Sequence, residues 1–257
     1  MIKKMVTMMS TSFVLGGYLH AVEIQSTGDA VNIAGKQRMF TQRMLKDYAM
    51  AGMGNTFGDP GADLKKTIDD FSDHLASLKD YAKNDETKKS LETVETLWKP
   101  IQKRLQEAPS IEHAGMLQED LEKLLKASDD ATKLFVKESG KASGEMVNIA
   151  GRQRMLSQRM ASLYMLKVWG VEDPKFKTKL DDTLKLFKTS LAKLETSPLN
   201  NEESKALLSK VKRSFMFFEM MNRSNSKFVP TLIYKKSNDI LKNMNTVTQI
   251  YVKSEVK

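Results

Sequence analysis

Two stretches of the chain hold the side chains best suited to chemistry, and they are almost the same stretch. Residues 29–48 read DAVNIAGKQRMFTQRMLKDY, and residues 145–164 read EMVNIAGRQRMLSQRMASLY. At an offset of 116 residues, 12 of the 20 positions are identical. Each copy sets three cations within three helical turns: Lys36, Arg38 and Arg43, then Arg152, Arg154 and Arg159. Beside them stand the amides Asn32 and Gln42, repeated as Asn148 and Gln158, and a glycine, Gly35, repeated as Gly151. A guanidinium is a rigid fork of N–H donors that matches planar oxoanions. Acids within helical reach are few: Arg43 can meet Asp47 at i,i+4, but Arg159 faces Leu163 there. Cations unpaired on their own helix need an anion from elsewhere, either an acid on a neighbouring helix or a ligand. Glycine inside a helix costs about 1 kcal/mol against alanine. Its presence at both equivalent positions points to the close approach of another helix or a ligand. Asn, Gln and Arg are costly to bury without partners, so packing alone is a poor reason for this block to outlast the drift of the rest of the duplication.

Other chemistry is thin. The chain has no cysteine, which excludes disulfide scaffolds, thiolate metal sites and cysteine nucleophiles. It has only three histidines. His74 follows Asp70 by four residues, the spacing of a metal pair on one helix face, but the second copy carries no histidine there. A solvated histidine is expected, as for His113 beside Glu112. Methionines at helical spacing are expected as core filler. No phosphate loop, nucleophile elbow or paired-acid motif occurs, so an enzyme, a cofactor and a metal are not expected.

The elements that position the motif repeat with it. Leu64, Ile68, Phe71, Leu75 and Leu78 step by four and three residues, and Leu180, Leu184, Phe187, Leu191 and Leu194 repeat the pattern 116 residues on. This is an apolar helical stripe. Val94 and Trp98 match Val211 and Phe215 one residue out of register. The period is too long for a solenoid, so two domains of one kind are expected, 22–139 and 140–257. Helices are predicted over about 24–52, 60–84, 85–107 and 110–138, then 145–169, 174–196, 201–223 and 227–254. Pro100 should kink or break the third, and the Gly- and Ser-rich segment 139–144 should reverse the chain between domains. The fold class is all-α: two tandem up-down four-helix bundles forming an internal pseudo-dimer.

Residues 1–21 open with Lys3 and Lys4, continue uncharged from Met5 to Gly17, and end in Ala21. They read as a signal peptide cut near Ala21. The apolar run is short of the roughly 20 residues a spanning helix needs, so the processed chain is expected to be exported, periplasmic and not membrane-spanning. Removal of Lys3 and Lys4 lowers the formal charge of +9 to +7, which in an exported chain points to small anions, anionic membrane surfaces or an acidic partner rather than nucleic acid, or to a solvated helical surface.

The motif Asn-x-Ala-Gly-x-x-Arg-Met-x-x-x-Arg resembles the ligand-binding helix of the nitrate/nitrite sensor kinase periplasmic domain. It is more similar still to the N-terminal domain of type IV pilus methyl-accepting chemotaxis transducers, the PilJ type, whose motif often reads as residues 150–159 do here, AGRQRMLSQR. The resemblance spans nearly all of the processed chain, twice. It implies a four-helix bundle that senses a small anion such as nitrate where two first helices meet. The ion-pairing contact then falls to Arg38 and Arg154, with backbone at Gly35 and Gly151. Asn32, Asn148, Gln42 and Gln158 support them, and Arg43 and Arg159 match a second motif arginine of more structural role. Such domains usually sit between membrane helices and lead into signalling modules, which these residues do not include. The expectation is therefore a monomer with an internal pseudo-twofold axis, binding nitrate or nitrite and presenting its ligand state to a membrane sensor kinase or chemoreceptor. The alternative is a helical adaptor in which the motif only cements two bundles.

Overall fold

The computed structural model describes residues 22–140, 142–223 and 229–254. The expected signal peptide lies outside the described residues. All regular structure within them is helical. In chain order the helices are α1 (Thr27–Gly52), α2 (Pro60–Tyr81), α3 (Asp85–Leu105), α4 (Ile111–Ser139), α5 (Ala142–Trp169), α6 (Phe176–Glu195), α7 (Glu202–Arg223) and α8 (Pro230–Ser254).

Local chemistry sets many of the boundaries. Ser26 caps α1 by accepting from the Asp29 N–H at 3.0 Å. Asp59, in the left-handed region at φ 49°, caps α2 by accepting from the Ala62 N–H, and Pro60 fills the first helical position. The corresponding Asp173-Pro174 behaves differently. Asp173 accepts from the Lys175 N–H at 2.8 Å, which closes a turn and delays α6 to Phe176. Pro100 lies inside α3, which runs on to Leu105; of the expected kink or break the break does not occur, and Trp98 and Ile101 near it are buried in the core. The chain reverses at Gly140, whose φ of 61° suits glycine. α5 starts at Ala142, three residues before the expected start, so the connection is tighter than the sequence implied.

α1 packs on α2 and α4, and α3 closes the ring; α5 to α8 repeat the arrangement. The duplicated core is visible side by side. The Phe71 and Trp98 rings lie 4.2 Å apart, and their counterparts Phe187 and Phe215 lie 4.4 Å apart. The one-residue slip is absorbed in the helix connections, since both pairs reach the same place. The bundles join through α1 and α5, the most extensive helix contact in the molecule. These two helices run parallel and in register, with Tyr48 against Trp169 at 5.9 Å between ring centroids. α1 is therefore enclosed on all sides, and 20 of its 26 residues are buried. A helix in that position cannot leave its polar residues to water, so each needs a partner inside the protein.

Candidate functional site

α1 and α5 approach most closely at the paired glycines. A Cβ placed on Gly35 would lie 4.0 Å from the Gly151 Cα, and one on Gly151 would lie 3.9 Å from the Gly35 Cα. The Nη2 atoms of Arg38 and Arg154 both lie within 3.5 Å of the place either Cβ would occupy. Both guanidinium tips thus sit over the glycine crossing, which exists because neither residue has a side chain. Each arginine also reaches across to the opposite helix. Arg38 Nη2 donates to Asn148 Oδ1 at 2.8 Å, and Arg154 Nη2 donates to the Asn32 carbonyl at 3.2 Å. The two side chains are among the largest fully buried in the protein, at 0% and 1% exposure.

Their other partners break the symmetry. Arg38 Nη1 donates to Asp129 Oδ1 on α4 at 2.6 Å. The residue 116 positions later on α8 is Asn245, and Arg154 Nη1 donates to its Oδ1 at 3.1 Å. One cation has a carboxylate; the other has only neutral acceptors and a second cation beside it. Burial, reinforced by the Arg38 charge, pushes the Arg154 guanidinium down to about 9. Burial also lowers Arg38, which Asp129 partly offsets. The Nε of each arginine and the Oδ1 of Asn32 are buried without a hydrogen-bond partner. Polar atoms left in that state are costly and mark a place where a further acceptor or donor would be stabilised.

Residues 23–131 and 135–214 match the profile of the type IV pili methyl-accepting chemotaxis transducer N-terminal domain, PilJ. The chain belongs to the PilJ family. No curated protein and no solved structure matches the chain. PilJ domains are sensory and signalling modules rather than catalytic ones, and they are typically periplasmic. Among the described residues no helix is long and apolar enough to cross a membrane, and no three His, Cys, Asp or Glu side chains are grouped to hold a metal ion.

The rest of the PilJ motif serves other contacts. Gln37 and Gln153 each donate to a carbonyl of the second helix in their own bundle, Phe71 at 3.0 Å and Phe187 at 2.9 Å. Gln42 and Gln158 lie further along the α1–α5 contact and not at the arginine pair. Gln42 accepts from the Ser162 hydroxyl at 3.1 Å, and Gln158 accepts from Lys46 Nζ at 2.8 Å. Arg43 pairs with Asp63 at 2.9 Å and approaches Asp47 at 3.6 Å, while Arg159 pairs with Glu122 at 2.8 Å. Of Arg38, Arg43, Arg154 and Arg159, Arg154 alone has no carboxylate partner among the described residues. Lys36 and Arg152 flank the crossing half-buried. Burial and the nearby Arg154 charge lower Lys36 to about 8.

Three features escaped the sequence. Asp129 and Asn245 were legible only as a pair at the 116-residue offset, outside the motif. Lys46 is fully buried, bonded to Gln158 and to Asn238 Oδ1 at 2.8 Å, and lies 4.1 Å over the Tyr234 ring. His74 corrects the expectation of a solvated histidine: it is 6% exposed and packs on the Phe40 ring at 5.1 Å, and burial lowers it to about 4. His113 is exposed.

Proposed function

We propose that the chain is an exported sensor for one small oxoanion, nitrate or nitrite, held between Arg38 and Arg154. In this reading residues 22–139 and 140–257 are two PilJ domains that form, within one chain, the interface at which the ligand is sensed. The leader is removed near Ala21, and the ligand state is presented in the periplasm to a membrane sensor kinase or chemoreceptor.

The observation that carries this is the pair of fully buried guanidiniums over a glycine crossing, of which Arg38 alone has a carboxylate. Two like charges in a low-dielectric contact repel strongly. An anion reaching both through Nε and Nη donors would relieve the repulsion and satisfy the buried donors together. Gly35 and Gly151 leave room for that approach, and Asn32 and Asn148 orient the forks. Ligand binding would then change how tightly α1 and α5 cross, which is the kind of change a partner could read. Phe57, Ile111, Met116, Val168, Val229 and Leu232 are exposed apolar residues at the end where α1 and α5 terminate, and that end is where the partner would dock.

Calorimetric titration of nitrate and nitrite into the wild type, Arg38→Met and Arg154→Met tests the assignment. Each charge-assisted hydrogen bond contributes roughly 1.5–3 kcal/mol, so either variant should bind about tenfold to a hundredfold more weakly. A wild type that binds neither ion, or variants that bind unchanged, would leave the adaptor as the function. The Arg38–Asp129 ion pair and the two Gln ties are what that adaptor would use.

A further inference from the structure

The site is built on a duplication, yet Asp129 and Asn245, at matching places on α4 and α8, differ by one charge. Asp129 bonds Arg38 at 2.6 Å. Its other oxygen takes the exposed Lys133 at 2.8 Å, where solvent screens the charge. Asn245 offers Arg154 the same acceptor geometry without the charge. The crossing therefore sets two buried guanidiniums against one partly exposed carboxylate, a net of +1. Lys36 and Arg152, the other cations near it, reach solvent.

We infer that Asp129 and Asn245 determine which anions the site accepts: Asp129 trims it to a single uncompensated charge, and Asn245 leaves that charge on Arg154 open for a monoanion. This rests on the anion-sensing function proposed above. A monoanion brings the buried group to neutrality. A dianion would leave an unpaired negative charge in a water-excluded contact, which is strongly unfavourable. The ligand is accordingly held off-centre, toward Arg154, in a contact that is otherwise twofold. A carboxylate at 245 as well would fill both cations from within the protein and leave nothing for a ligand to neutralise. An amide at 129 would give a +2 site. Position 245 shows that an amide supports an arginine there, so the Asp129→Asn protein should fold.

The test uses sodium nitrate and sodium sulfate as probes, titrated at constant ionic strength into the full chain, Asp129→Asn and Asn245→Asp, with melting curves for each. The wild type should bind nitrate in preference to sulfate. Asp129→Asn should shift the sulfate-to-nitrate affinity ratio at least tenfold toward sulfate. Asn245→Asp should melt higher than the wild type and bind nitrate at least tenfold more weakly. Nitrate binding by the wild type with an unchanged ratio in Asp129→Asn and unchanged affinity in Asn245→Asp would overturn this inference and leave the anion site standing. Should Asp129→Asn not fold, the Asn245→Asp result decides alone. A wild type that binds neither probe would overturn the sensing function, and this inference with it.

Discussion

Arg38 and Arg154 occupy the same position in two copies of one helix, but their surroundings give them opposite roles in stability. Arg38 holds Asp129, so Arg38→Met removes an ion pair at 2.6 Å and should cost roughly 1–3 kcal/mol in the ligand-free protein. Arg154 is buried against neutral acceptors and a neighbouring cation. Arg154→Met keeps much of its volume and removes the repulsion, so the ligand-free protein should melt at the same temperature or higher. Adding nitrate should raise the melting temperature of the wild type more than that of either variant. Denaturation of all three proteins with and without nitrate checks this, and a cost in Arg154→Met equal to that in Arg38→Met would identify two structural arginines. From the motif alone the two residues were indistinguishable, because Asp129 and Asn245 lie 91 residues from them on another helix.

The helices α1 and α5 differ from ordinary amphipathic helices in being enclosed, and their ends show how tightly. Gly52, which ends α1, faces the Trp169 ring: a Cβ there would lie 2.2 Å from Trp169 Cζ2. The indole is rigid, so Gly52→Ala must push the helices apart. The expected cost is roughly 1–3 kcal/mol, a fall of about 2–4 °C in melting temperature per kcal/mol for a chain of this size. An unchanged melting temperature would show that the ring moves freely. On α2, His74 is lowered from 6.5 to about 4 by burial, with the Lys36 charge adding to it. Its folded-state value lies below its unfolded value, so the unfolded chain binds the extra proton first. Stability from neutral His74 is present above pH 6.5 and is lost as pH falls through that value toward 4, by at most on the order of 3 kcal/mol. His74→Leu should therefore lose less stability than the wild type between pH 6.5 and 4, measured by urea denaturation at each pH. Equal losses would place the acid sensitivity elsewhere.

At the scale of the whole molecule, one chain makes the contact that two chains would otherwise have to make. A Cβ at position 35 would lie 4.0 Å from the Cα of residue 151, and one at 151 would lie 3.9 Å from the Cα of residue 35, so cysteines there are expected to be within disulfide reach. The Gly35→Cys, Gly151→Cys protein should therefore oxidise within one chain and run faster than its reduced form on a denaturing gel. A ladder of crosslinked dimers would instead mean that copies exchange their α1 and α5 partners. Light scattering of the uncrosslinked protein, expected to be monomeric, gives a separate check.

The sequence alone determined the helical architecture, the doubling and the motif. Each is a short-range property: apolar side chains spaced by three and four residues, the Asp59-Pro60 start of α2, and a block repeated at a constant offset. It also singled out Gly35 and Gly151 as points where another helix or a ligand comes close, since glycine inside a helix is costly. What it could not reach were long-range decisions. Whether Pro100 broke α3 was not legible locally; Trp98 and Ile101 near it are buried in the core. Whether His74 met water depended on Phe40, from another helix. Which arginine kept an unpaired charge depended on α4 and α8 delivering a carboxylate to one and an amide to the other. Charge balance in a buried contact is a sum over every helix that enters it, and only the packed structure brings those terms together.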